Sequence, residues 1–131
     1  MGVPARPNSL FSVSTRAHRG DQKFDSALLE FLDFFYENPM SRQGSIAERP
    51  DPVGRVEDAY LAAVAEHLAL SFGLPVPSWT EESHRFLETP FFAGGLESLK
   101  ATLLVESPTA FRRRLLFVSA NALSRPRHTA A

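Results

Sequence analysis

Apolar residues recur at helical spacing in two long stretches of the chain. In residues 21–38, DQKFDSALLEFLDFFYEN, phenylalanines and leucines fall three or four positions apart with acids between them, which is the pattern of an amphipathic helix. Asn38-Pro39 ends this helix, because the residue before a proline disfavours the helical conformation. Residues 39–54 are punctuated by Pro, Gly and Ser and predict a loop.

Residues 55–72 carry the clearest helical pattern, with an apolar stripe along their whole length. Glu57 and Asp58 lie in the first turn, where the helix dipole favours acidic side chains. Gly73 follows the last turn, where a left-handed glycine commonly ends a helix. A helix is therefore predicted over 55–72.

The second half of the chain predicts shorter elements. Ser78, with Glu81 three residues later, has the pattern of a capping box at a helix start. Four leucines at helical spacing on one face, Leu96, Leu99, Leu103 and Leu104, predict a helix leading up to Ser107-Pro108, and that dipeptide predicts the cap of a further turn. The elements predicted here are a helix near 79–88, a helix over about 96–106, a turn or two after 108, an LLFV stretch compatible with helix or strand, and a turn near 120–123.

These elements predict an all-α fold, and the length of 131 residues favours a compact single domain of four to six helices. Residues 1–20 hold three arginines and no acid and predict a disordered leader. The helical domain is expected over 21–125, with a flexible tail at 126–131. No apolar stretch approaches the roughly eighteen residues of a membrane span, so a cytoplasmic protein without a membrane partner is expected.

Charge is separated along the chain, although the formal net charge is only −1. Residues 1–20 carry +3, and residues 107–131 carry five arginines and no acid, which gives +5. All fifteen acids lie in residues 21–106 against six basic residues, which gives −9. An acidic body repels nucleic-acid phosphates and suits a basic protein partner.

Few features of the sequence point to catalysis. The chain has no cysteine, which excludes disulfides, a thiol nucleophile and a Cys-based zinc site. Gly94-Gly95 precedes a predicted helix but lacks the Lys-Ser/Thr of a phosphate-binding loop. No hydrolase, metalloprotease or kinase motif occurs, so a protein without enzymatic activity, cofactor or metal is predicted.

Two histidines leave a catalytic alternative open. His84 has Glu81 and Glu88 at helical spacing, and the three could bind a metal or share a proton. A solvated face with local ion pairs is the simpler interpretation. His67 falls on the apolar stripe of the 55–72 helix and is predicted to be a hydrogen-bonded core histidine. A small hydrolase or metal-dependent enzyme centred on either histidine stays a third alternative for the function.

Arginine and aromatic residues are the candidates for contact with a partner. The stretch SPTAFRRRLLFV sets three arginines beside an apolar run, and on a helix they would fan over about 200°. One is expected to pack its stem on apolar surface, and both internal ion pairing and partner contact remain open for the triplet. Aromatic side chains in loops can act as interface anchors. The predicted partner-binding residues are Trp79, Phe91, Phe92, Arg112, Arg113 and Arg114.

A family resemblance runs through residues 60–125. The phrases AEHLA…GLPVPSW, RFL, GGLESL, ESPTAFRRR and FVSANAL resemble a group of small actinobacterial helical proteins, the antitoxins paired with AbiE/Men-type nucleotidyltransferase toxins. The likeness covers about half of the chain, contains no catalytic motif and leaves residues 1–50 without a counterpart.

The resemblance implies a cytoplasmic antitoxin that binds a nucleotidyltransferase toxin and inhibits it by steric and electrostatic occlusion. Such toxins act on tRNA with a nucleoside triphosphate, so a basic cleft is expected in the partner. The alternative is a DNA-binding transcriptional regulator that acts on its own promoter. That alternative requires a basic recognition helix, whereas the two longest predicted helices are acidic.

Overall fold

A computed structural model describes residues 6–93, 100–120 and 122–124. Within them the protein is mainly helical, with six α-helices and a minor sheet of two strands, which confirms the predicted all-α class. The helices are α1 (Leu10–Arg19), α2 (Phe24–Glu37), α3 (Arg42–Ala47), α4 (Arg55–Phe72), α5 (Lys100–Glu106) and α6 (Thr109–Arg112). The strands are β1 (Phe91–Phe92) and β2 (Leu116–Phe117), and 3-10 turns cover Pro39–Ser41, Ser78–Glu81 and Ser83–Arg85.

The described chain forms two compact units, whereas a single domain was expected. One unit lies within residues 6–53 and holds α1 to α3; the other begins at Gly54 and holds α4 to α6 with both strands. The boundary falls in the Pro- and Gly-containing stretch that precedes α4, where such residues interrupt regular structure.

Helix α1 differs from the disordered leader predicted over residues 1–20. The Ser9 side chain accepts a hydrogen bond from the Ser12 N–H at 3.0 Å, which caps the helix start. Leu10 and Val13 are fully buried. The apolar set is too short to give a clear periodic signal, and packing against α2 stabilises a helix that local composition did not indicate. Residues 1–5 and the predicted tail at 126–131 lie outside the described residues.

Helix α2 confirms the first predicted helix, but the predicted loop 39–54 contains a 3-10 turn and α3. The Arg42 guanidinium donates to the carbonyls of Phe35 and Tyr36 at 3.0 and 3.1 Å. Ile46 is fully buried. These tertiary contacts override the loop-forming composition of the segment, because helix propensity is only a weak bias.

Helix α4 has the predicted bounds and is the most buried element of the second unit. Ten of its eighteen residues are buried, so it forms the centre of that unit's core. Gly73 ends it with φ 67°, and its N–H donates to the Ala69 carbonyl. This left-handed residue satisfies a carbonyl of the last turn and confirms the predicted stop.

The segment after α4 forms two 3-10 turns where a helix near 79–88 was predicted, and the capping box is wrong. No side chain caps the turn that begins at Ser78, because the Glu81 carboxylate is bound by Arg113. The chain then extends into β1, which pairs in parallel with β2. The LLFV stretch is therefore partly a strand.

Helix α5 corresponds to the described part of the helix predicted over 96–106, and residues 96–99 lie outside the described residues. Leu103 is 7 % exposed whereas Leu104 is 47 % exposed, so these two of the leucines predicted on one face differ in burial. Ser107 does not cap α6. Its hydroxyl is bonded to the Leu103 carbonyl and to both backbone groups of Val118, so it joins the end of α5 to the chain after β2.

Replacing Gly73 with Ala tests the left-handed end of α4. No atom lies within 4 Å of an added Cβ, so the cost is conformational, and we expect a loss of about 1 kcal/mol in the free energy of unfolding. Gly44→Ala is the matched control, since a Cβ at Gly44 also meets open space but the residue lies inside α3, where Ala gains about 0.5–1 kcal/mol. Urea unfolding of both variants measures the difference, and equal stabilities would contradict this account of the turn.

Candidate partner-binding site

The three consecutive arginines lie at a sharp change of chain direction. Helix α6 ends at Arg112, and Leu115 adopts a left-handed conformation with φ 61°. Its N–H donates to the Arg112 carbonyl at 2.9 Å. A left-handed non-glycine residue costs about 1–2 kcal/mol, so neighbouring contacts must hold this turn. The three guanidinium groups beside this turn lie in three different environments.

Arg114 is fully buried. Its Nη1 donates to Glu66 Oε1 at 2.6 Å and to the Ala110 carbonyl at 2.8 Å, while Nη2 donates to the Thr80 carbonyl at 2.8 Å. The guanidinium carbon lies 4.7 Å from the centre of the Phe86 ring. Burial lowers the pKa of Arg114 while the bond to Glu66 raises it, and an arginine remains protonated in either case. Arg114 therefore joins α4, α6 and the first 3-10 turn after α4.

Arg113 forms the outer part of the same network. Its Nη1 donates to Glu81 Oε2 at 2.9 Å and its Nη2 donates to Glu81 Oε1 at 3.0 Å. Nη1 also donates to Glu66 Oε1 at 2.6 Å. The hydrogen bonds to Glu81 and Glu66 raise the pKa of Arg113, and the bond to Glu81 has the larger effect. The same contact lowers the pKa of Glu81. A bidentate pair of this kind is stronger and more directional than a single contact.

Arg112, the first of the three arginines, faces solvent. Its side chain is exposed and lies 3.4 Å from the Thr109 hydroxyl. The triplet thus divides into one buried, one partly exposed and one exposed guanidinium. Of the two alternatives left open by the sequence, internal ion pairing describes Arg113 and Arg114, and partner contact remains a prediction for Arg112.

Charge pairing removes the separation seen along the sequence. Among the described residues from Gly54 onward there are seven acids and six basic residues, and residues 6–53 also hold seven acids and six basic residues. The arginines near the C-terminus supply the charge that balances the acids of α4 and the following turn. Each unit is therefore nearly neutral, so attraction to a partner depends on local groups more than on net charge.

Trp79 belongs to the core. It is 6 % exposed, and the Arg85 guanidinium carbon lies 4.7 Å from the centre of its ring. Arg85 is fully buried and donates to Glu82 Oε1 and to the Asp58 carbonyl, both at 3.1 Å. Sequence reasoning missed Arg85, because a lone arginine at the end of a 3-10 turn gives no signal of burial. As a buried residue, Trp79 is not placed to anchor a partner.

Phe91 and Phe92 differ in exposure, as adjacent strand residues do. Phe91 is 39 % exposed. Phe92 is partly buried and stacks on Phe117 with ring centres 5.0 Å apart. Two further exposed apolar side chains, Leu104 at 47 % and Val105 at 79 %, lie on α5, which also packs against β2. Phe91, Leu104 and Val105 therefore give exposed apolar surface on two elements that flank one strand.

The histidine candidates are separated from each other. His84 shares a groove with Arg55 and Glu88, while Glu81 is bound to Arg113, so the alternative in which His84, Glu81 and Glu88 share one helical face does not form. His67 is half-buried and packs edge-on against Phe111 with ring centres 6.3 Å apart. Burial lowers its pKa. The packing places His67 at the boundary of the core.

Comparisons of the chain with models of protein families, with curated proteins and with solved structures returned no match. Across the described residues, no group of three or more His, Asp or Glu side chains is placed to hold a metal ion. In the same part of the chain, no helix is both long and apolar enough to cross a membrane.

The arginine triplet provides a matched series of variants. Arg114→Ala is expected to lower the free energy of unfolding by about 3 kcal/mol or more, because it removes one partner of a buried ion pair and three hydrogen bonds. Arg113→Ala should cost about 1 kcal/mol, since solvent weakens the exposed pair with Glu81. Arg112→Ala should change stability by less than about 0.5 kcal/mol. Urea unfolding of the three proteins gives the order, and similar losses for Arg112→Ala and Arg114→Ala would contradict the described network.

His67 predicts a dependence of stability on pH. Above its ordinary pKa of 6.5 the imidazole is neutral in both states, so it adds no pH dependence there. As the pH falls from 6.5 towards the lowered folded pKa, the unfolded chain takes up the proton first, so the free energy of unfolding decreases. His67→Asn should flatten the change in urea midpoint between about pH 7.5 and about pH 5.5. An unchanged slope would mean that other groups cause it.

Proposed function

We propose that this protein is a cytoplasmic antitoxin that binds a nucleotidyltransferase toxin and inhibits it by occluding its active-site cleft. The resemblance of residues 60–125 to antitoxins of the AbiE/Men type motivates the proposal. Inhibition requires shape and charge only, and no bond is made or broken by this chain.

The observation that carries the proposal is the exposed aromatic side chain of Phe91 on an ordered backbone. Its N–H donates to the Leu115 carbonyl at 2.9 Å, and the Ala93 N–H donates to the Phe117 carbonyl at 3.0 Å. A side chain held in place before binding loses little conformational entropy at an interface, and exposed aromatics are frequent binding hot spots. Phe91 is thus suited to act as an anchor, and Leu104 and Val105 are further exposed apolar side chains of the same unit.

Charged groups support the same kind of partner. The side chain of Arg112 is exposed and can pair with a carboxylate at the rim of an enzyme cleft. Helix α2 carries four acids and no basic residue, which favours association with a cleft that binds phosphates. Local charges of this kind govern orientation and association rate more than affinity.

Co-expression with the neighbouring reading frame tests the proposal. A nucleotidyltransferase encoded there should elute together with this chain by size exclusion, and its transfer of nucleotides to tRNA should fall when the chain is added. Phe91→Ser should weaken the complex by about 30-fold, since loss of an aromatic anchor costs about 2 kcal/mol.

Leu70→Ser is the matched control, because Leu70 is also apolar and 63 % exposed but lies on α4. It should bind like the unmodified chain. Separate elution of the two proteins would refute the proposal. A salt-dependent gel shift of the gene's own promoter DNA by the protein would instead support the DNA-binding alternative.

A further inference from the structure

Strand β1 depends on its partner strand for its position. It has two residues, and isolated pairings of this size are marginal in water. Phe91 keeps 39 % of its surface exposed, and its neighbour Phe92 stacks on Phe117. The backbone at Phe91 is also held by two hydrogen bonds: the Phe91 N–H donates to the carbonyl of Leu115, just before β2, and the Ala93 N–H donates to the carbonyl of Phe117 in β2.

The acceptors of these bonds lie on the turn that follows α6. Leu87 donates to the Arg114 carbonyl at 3.3 Å, Phe91 to the Leu115 carbonyl and Ala93 to the Phe117 carbonyl. Leu115 has the left-handed conformation that is costly for a side-chain-bearing residue. Something outside the ladder must therefore hold the row of carbonyls in register.

The Ser107 hydroxyl, bonded to both backbone groups of Val118, holds the far end of this row, and the Arg114 side chain restrains the end next to α6. Its guanidinium is bonded to Glu66 on α4, to Thr80 in the first 3-10 turn after α4, and to Ala110 on α6. The same residue provides a ladder carbonyl through its backbone. A planar guanidinium that donates in three fixed directions restricts orientation far more than an apolar side chain of equal size.

We infer that Arg114 and Glu66 are positioning residues for Phe91: their buried ion pair orients the carbonyls that hold the exposed aromatic for binding. This inference deepens the proposed function, since Phe91 is its anchor, but its main readout needs no partner. This readout separates a positioning role from a purely stabilising one. An apolar replacement can preserve overall stability while it removes the directional hydrogen bonds of the pair.

The test is amide hydrogen exchange in the full chain. In the double variant Arg114→Met with Glu66→Leu, the pair is replaced by apolar groups of similar size, and overall stability should be close to that of the unmodified chain. The Phe91 and Ala93 amides should nevertheless exchange about tenfold faster or more, while amides in the middle of α4 keep their protection. If the toxin binds, its affinity should fall with the protection at Phe91.

Two single variants keep the test decisive if the double variant folds poorly. Arg114→Lys keeps the charge without the three-way donation, so faster exchange at Phe91 and Ala93 is expected there too. Arg113→Ala leaves Arg114 and its bonds to Thr80 and Ala110 in place. The Phe91 and Ala93 amides of this variant should therefore exchange at the same rate as in the unmodified chain. If the Phe91 amide of a folded Arg114 variant is as well protected against exchange as in the unmodified chain, the inference is overturned. Absence of toxin binding by the unmodified chain would defeat the proposed function alone, because the exchange result does not depend on a partner.

Discussion

The second unit depends on one carboxylate that serves two arginines. Glu66 lies in the middle of α4, its side chain is 12 % exposed, and a single oxygen accepts from both Arg113 and Arg114 at 2.6 Å. Removing an ion from water costs several kcal/mol, which is recovered only when the geometry is good and further hydrogen bonds satisfy the donors. The carbonyls of Thr80 and Ala110 supply two of those further bonds, whereas the buried Arg114 Nε has no hydrogen-bond partner among the described residues.

This pairing converts a charge pattern along the chain into a contact in three dimensions. The positive block at 112–114 and the acids at 66 and 81 are more than thirty residues apart in the sequence, yet they meet around the Phe86 ring, which lies 4.7 and 5.2 Å from two guanidinium carbons. A sequence that places opposite charges in separate segments therefore need not present a field to a partner. It can instead use the charges to join those segments.

Local periodicity was sufficient where a helix is long and its apolar stripe continuous. Helices α2 and α4 were predicted with nearly their observed bounds, and Gly73 marked the end of α4. Helices α1 and α3 were not predicted, because each presents only a few buried apolar residues. The capping box at Ser78 had the right residue types, but Glu81 has a better partner in Arg113, which lies 32 residues away and is invisible to local reasoning.

The candidate site was only partly predictable for the same physical reason. Phe91 and Phe92 differ in exposure because adjacent strand residues point to opposite faces, and the sequence did not predict this strand. Trp79 and Arg114 could not be distinguished from surface residues, since their burial depends on Arg85 and on Glu66, each a partner brought in by the fold. Exposure of a large side chain is a property of the whole unit. A stretch such as RRR can therefore hold a core residue beside a surface residue, and the partners that the fold brings to each guanidinium decide which is which.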